Sequence, residues 1–197
     1  LALQTLNGRR VALYDFAGTG TGTGNDADPA HYQGATGTLS LTGINAGTPV
    51  RVRGFGRPFG AAPADFTAQT VINVTQAPAA LAVAWSPASA APFTSLTATG
   101  LTLDLMGTPL LHHVLRGGVV TDLAGTSPQV TPLDPNRGLY ALGIAGTVTV
   151  YTNFDQYQQA LTTELANNRR ARGFGGLGTY TDTTTSFTGR QLFTAFE

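Results

Sequence analysis

Apolar and small polar residues alternate in short blocks along most of this chain, the period-2 pattern that turns one face of a strand toward a core. Residues 11–16, 38–42, 50–55, 71–75, 81–85 and 97–105 each predict a strand. A longer one is expected from Tyr140 through Val148 and Val150 to Tyr151. Turn material separates them at Gly43-Ile44-Asn45-Ala46-Gly47, Arg57-Pro58, Ser86-Pro87 and Asp134-Pro135-Asn136. Seven or more short strands at this spacing favour a sandwich or a barrel.

One segment follows a different period. Asn153 with Gln156 matches a capping box, and Phe154, Tyr157, Leu161 and Leu165 then share one helical face. An amphipathic helix is expected near 153–171, covering an open end or face of the sheet. Arg169, Arg170 and Arg172 suit its last turn, where cations meet the negative end of the helix dipole, and Gly173 can close it. Two stretches read as punctuation: residues 18–24, which alternate Gly and Thr, and residues 173–178. The tetrapeptide Arg-Gly-Phe-Gly occurs at 53–56 and again at 172–175, and a shared bulge geometry is the most it implies. Together these features predict a mainly β chain, an antiparallel β-sandwich or barrel-like single domain over 1–197. Its expected parts are a body of about 1–151, a helix at 153–172 and a C-terminal hairpin at 178–197.

Composition supports sheet. The 197 residues include 31 threonines and 25 glycines, and only 11% are charged. Threonine suits a pleated, half-wet surface and glycine marks turns and bulges. A net charge of zero offers no electrostatic reason for nucleic acid or an acidic membrane as partner. All eleven basic residues are arginine, and the usage of Ala, Gly, Pro and Arg fits a GC-rich genome. Without cysteine there are neither disulfides nor thiolate metal sites. No apolar run approaches the ~20 residues of a spanning helix. No signal peptide is visible, and a mature protein whose signal has been removed reads the same way. Low charge with high Thr, Ser and Gly points to the bacterial cell envelope or cell surface.

Candidate chemistry is sparse. The Gly/Thr run at 18–24 lacks the Gly-Lys-Ser/Thr ending of a P-loop, which excludes that mode of nucleotide binding. Asn25, Asp26 and Asp28 offer oxygens to a hard cation such as calcium, with Asp15 able to join if the segment folds back; an Asx turn is the simpler reading. Any transition-metal site must begin from His31, His112 and His113, with Asp122 or water able to complete it. Adjacent side chains on a regular strand face opposite ways, so His112 and His113 are expected to share an ion only at a bulge or turn. None of the six serines sits in a Gly-x-Ser-x-Gly elbow. Glu164 and Glu197 are the only glutamates, which disfavours a Glu acid/base pair. Asn73-Val74-Thr75 matches a glycosylation sequon. Trp85, Tyr151 and Tyr180 are the aromatics that a carbohydrate-binding face would use. Phe187, Leu192, Phe193 and Phe196 suit a final strand packed into the core.

In overall composition the chain resembles bacterial cell-envelope proteins, including accessory subunits of surface-layer assemblies. That resemblance implies a non-catalytic structural or interaction subunit, bound to another envelope protein or surface-layer subunit. A β-sandwich with clustered histidines also resembles, in architecture, the copper/zinc superoxide dismutase family. The family holds copper with a His-x-His pair on one strand face and two further histidines. Here His112 and His113 are contiguous and there is no fourth histidine, so only His31, His112 and His113 carry over. This second resemblance implies a copper-dependent oxidoreductase.

Overall fold

The computed structural model describes residues 1–16, 27–56, 64–107 and 110–197. They form two compact units, Leu1–Thr75 with Gly117–Val120, and Gln76–Arg116 with Thr121–Glu197.

In the first unit, β1 (Thr5–Leu6) and β2 (Arg9–Arg10) pair across a tight turn at Asn7 and Gly8, both at positive φ. β3 (Gly34–Ala35), β4 (Val50–Gly56) and β5 (Phe66–Asn73) make a three-stranded sheet in the order β3-β5-β4. Two expected strands are absent here. Residues 11–13 form a 3-10 turn and residues 38–42 lie in irregular chain. Among the described residues neither segment has a neighbouring strand to complete its backbone hydrogen bonds, so alternation alone is not enough to make a strand.

The second unit carries the large sheet and the one helix. Its strands are β6 (Ala79–Ser89), β7 (Phe93–Thr97), β8 (Gly100–Leu103), β9 (Leu111–Arg116), β10 (Val119–Asp122), β11 (Gln129–Pro132), β12 (Leu139–Ile144), β13 (Thr147–Tyr151), β14 (Ala171–Thr181) and β15 (Ser186–Phe196). The order is β10-β9-β6-β14-β15-β11-β8-β7, with the tip of the β9–β10 hairpin grouped in the first unit. β15 forks the sheet: residues 186–189 pair with β11 and residues 191–196 with β12, both in parallel, while β13 pairs on β12. The pairings β8–β11, β14–β15, β6–β14, β6–β9 and β7–β8 are antiparallel, as expected for a chain built from hairpins. β7 stands four places from β14, yet the Phe93 and Phe174 rings meet edge to face at 6.0 Å. The sheet therefore curls so that its β7 edge lies over the central strand β14 across a core, in a sandwich-like manner. Among the described residues no pairing joins β7 to β10, so it is not a closed barrel.

Two expected strands are hairpins. Residues 97–105 turn at Ala98-Thr99, and the run from Tyr140 to Tyr151 folds at Ala145 and Gly146, whose φ angles are 47° and 85°. Positive φ at both central positions is what a two-residue hairpin turn demands, and glycine meets it without cost. Ser86-Pro87 is not a turn either; it lies inside β6. Nor is 173–178 punctuation, since it belongs to β14 at the centre of the sheet. Glycine serves there because its neighbours fill the space: a Cβ at Gly176 would sit 2.8 Å from Leu192 and 3.0 Å from Phe187. Both Arg-Gly-Phe-Gly copies do carry a register shift, at Arg53/Gly54 in β4 and between Ala171 and Gly173 in β14.

The helix α1 (Phe154–Ala166) begins where expected, with the Gln156 N–H donating to Asn153 Oδ1 at 3.2 Å. Phe154, Tyr157 and Leu161 are buried, and Leu165 packs against the core. The Tyr157 hydroxyl shares a 2.5 Å hydrogen bond with Thr194 of β15, both fully buried, and burial pushes the Tyr157 phenol up. The end of the helix differs from expectation. It stops at Ala166, and Arg169, Arg170 and Arg172 all lie beyond its last turn. Asn168 at φ 61° reverses the chain, and Ala171, wholly buried, starts β14. Core placement of Ala171 ends the helix sooner than the dipole argument implies. The C-terminal hairpin is correspondingly longer, running from Ala171 to Phe196 with Phe187, Leu192 and Phe196 in the core.

One buried ion pair ties three strands. Arg116 ends β9 with no exposure, passes the small Ala79 of β6, and reaches the end of β14. Its guanidinium donates to the Tyr180 carbonyl at 3.1 Å and to both Asp182 oxygens at 3.0 and 2.8 Å. It also lies 5.6 Å from the Tyr180 ring centre.

Candidate functional site

Sequence singled out His112 and His113, and β9 presents them near its start. The ladder sets His112 beside Val83, whose side chain is in the core, and His113 beside Ala82 on the opposite face. The two rings nevertheless approach to 5.0 Å between centres, with 60° between their planes. Their meeting place is the end of β10. The Leu123 N–H donates to the His112 carbonyl at 2.8 Å, which brings Asp122 alongside His113. There the strand gives way to a turn in which the Ala124 N–H donates to Asp122 Oδ1 at 2.8 Å. The same oxygen lies 2.5 Å from His112 Nδ1. His112, His113 and Asp122 each offer a donor atom within 4.8 Å of the others. The β9–β6 ladder carries no register shift at His112 and His113, yet their rings converge. It is the end of the neighbouring strand that lets a carboxylate join them.

Electrostatics favour an ionised Asp122. The Ala124 N–H above all holds its carboxyl below the ordinary carboxylate range, with burial opposing it and the His112 and His113 rings adding to it. The His112 side chain is 18% exposed while Asp122 is 61% exposed, so the group is anchored on one side and open to solvent on the other.

The remaining candidates lie elsewhere. His31 belongs to the first unit, where its Nδ1 lies 2.7 Å from Asp28 Oδ2. Asp28 Oδ1 accepts the Ala30 N–H at 2.8 Å, an Asx turn, and the His31 bond leads the causes that lower its pKa. Both oxygens of Asp28 are thereby engaged locally. Asn25 and Asp26, the other calcium candidates, lie outside the described residues, as does the 18–24 run. Within the second unit the cluster is His112, His113 and Asp122. The aromatics proposed for carbohydrate are core residues: Trp85 and Tyr180 are buried, and Tyr151 packs 6.3 Å from Tyr157. Asn73 of the sequon caps its own turn through the Thr75 N–H at 2.9 Å.

A feature that sequence reading missed is the outer face of the large sheet. Cross-strand register lines up His113, Ala82, Gly175, Phe193, Ala141 and Val150 over β9, β6, β14, β15, β12 and β13. The row on one side runs Leu111, Ala84, Gly173, Ala195, Gly143 and Val148; the row on the other runs Leu115, Ala80, Leu177, Gln191 and Leu139. None of these residues carries a formal charge. Phe193 is 41% exposed, Leu115 49% and Val150 54%. The available signal was the apolar residue at every second position of β13 and the nearly charge-free β6 and β14, but alignment of those positions depends on pairing between distant segments. No helix is long and apolar enough to cross a membrane. Comparison with protein families, with curated proteins and with solved structures returns no match.

Proposed function

We propose that this chain is a non-catalytic interaction subunit of a bacterial cell-envelope or surface-layer assembly, and that the outer face of its large sheet is the surface its partner covers. The observation that carries this reading is the three-row apolar face. Contiguous exposed apolar surface rimmed by polar residues marks association sites on soluble domains. Covering this one removes Phe193, Leu115, Leu139, Leu177, Val148 and Val150 from water without desolvating an ion, a step that is otherwise expensive. A flat face of small residues also admits a second sheet at the usual ~10 Å spacing. Low charge and abundant threonine support an extracytoplasmic setting.

The test is co-sedimentation with surface-layer or envelope fragments prepared from the source bacterium. Wild type is compared with the double substitution Phe193→Asp and Val150→Asp, whose charges sit on the outer face. The reading expects wild type to sediment and the variant to stay in solution with unchanged core unfolding. Equal sedimentation of both, or of neither, overturns it.

A further inference from the structure

We infer that His112, His113 and Asp122 form a binding site for a divalent first-row transition-metal ion, zinc or copper. The case begins with the donor set. Two imidazoles and one carboxylate are ligands of borderline-soft ions, whereas calcium and magnesium ask for six or more oxygens. All three donors come from one hairpin, β9–β10 and the turn after it, and already lie within 4.8 Å of one another. The chain has only three histidines, and two of them meet here ring to ring. The same group combines an anchored side, in the part-buried His112, with an open one at Asp122.

Hydrogen bonding also orients the ligands. His112 Nδ1 already faces Asp122 Oδ1, so an ion held by both takes the place of this hydrogen bond with the ring and the carboxylate aimed at one another. The Ala124 N–H also donates to Asp122 Oδ1, which fixes the carboxylate beside the two rings. Three protein donors leave a coordination position for water or for a group on a partner. His113 stands in the same row as Phe193, which puts this open position at the border of the apolar face.

Isothermal titration calorimetry of the full chain, stripped with chelator and then dialysed, tests the assignment with zinc and with copper(II), and with calcium as the hard-ion control. The expected result is one zinc or copper ion per chain, no saturable calcium binding, and a loss of about 10- to 100-fold in affinity for His113→Ala and for Asp122→Asn. His31→Ala serves as the control and should bind as wild type does. Because His112 lies beside the core residue Val83, the test relies on these other two positions. Proton NMR gives a second reading on the wild-type chain: zinc should shift the ring protons of His112 and His113 and leave those of His31 in place. No saturable binding, binding that survives both substitutions, or zinc shifts confined to His31 would each overturn the assignment.

Discussion

Removing the carboxylate of Asp182 is the sharpest single test of the fold. Arg116 is fully buried, and its guanidinium donates to both oxygens of Asp182. In Asp182→Ala the guanidinium keeps the Tyr180 carbonyl and the Tyr180 ring but loses the Asp182 carboxylate. Breaking a buried pair from one side costs about 3–5 kcal/mol. Asp182 is 39% exposed, so water replaces part of what it supplied, and about 3 kcal/mol is expected. For a chain of this size that corresponds to a drop of about 6–12 °C in Tm. The double variant Arg116→Met with Asp182→Ala removes the charge and fills a similar volume, so it should recover to within about 1 kcal/mol of wild type. Trp85, the only tryptophan, is buried in the same unit, and its fluorescence during urea unfolding reports both variants. The reasoning fails if Asp182→Ala costs less than about 0.5 kcal/mol, or if the double variant is no more stable than the single one.

Alkaline pH should weaken the protein through Tyr157. Burial raises its pKa in the folded state above the ordinary value near 10, so its contribution is complete below that pH. As pH climbs further the unfolded phenol ionises while the folded one does not, and stability falls by up to about 1.4 kcal/mol per unit from this residue alone. Urea titrations between pH 9 and 11 should show a shallower decline for Tyr157→Phe; identical slopes would contradict the assignment. Gly178→Ala should destabilise the β14–β15 hairpin, because the added methyl runs into the Thr188 carbonyl at a register shift. A cost of about 1–3 kcal/mol is expected by urea unfolding, whereas Gly56→Ala, with nothing near its Cβ, should cost less.

What the sequence determined by itself was local. Periodicity was enough to identify a mainly β chain, and the polar cap at Asn153 with the Phe154–Tyr157–Leu161 stripe was enough to start the helix at the right residue. Both signals are carried by residues within one or two turns of each other, where side-chain spacing alone sets which face is apolar. The helix end was not local, since burial of Ala171 in the core overrode the pull of three arginines toward a longer helix. Residues 173–178 show the same limit. Glycines that read as a break become a central strand because β6 and β15 complete their hydrogen bonds and the side chains of β15 fill the space. At the candidate metal centre the residue types were legible, including Asp122 as the possible third member. Their convergence was not, because it depends on where β10 stops relative to β9. The apolar face lay furthest from view. It joins residues 80 to 195 through β-ladders, and a one-residue slip in any of them would turn that strand's side chains to the other face.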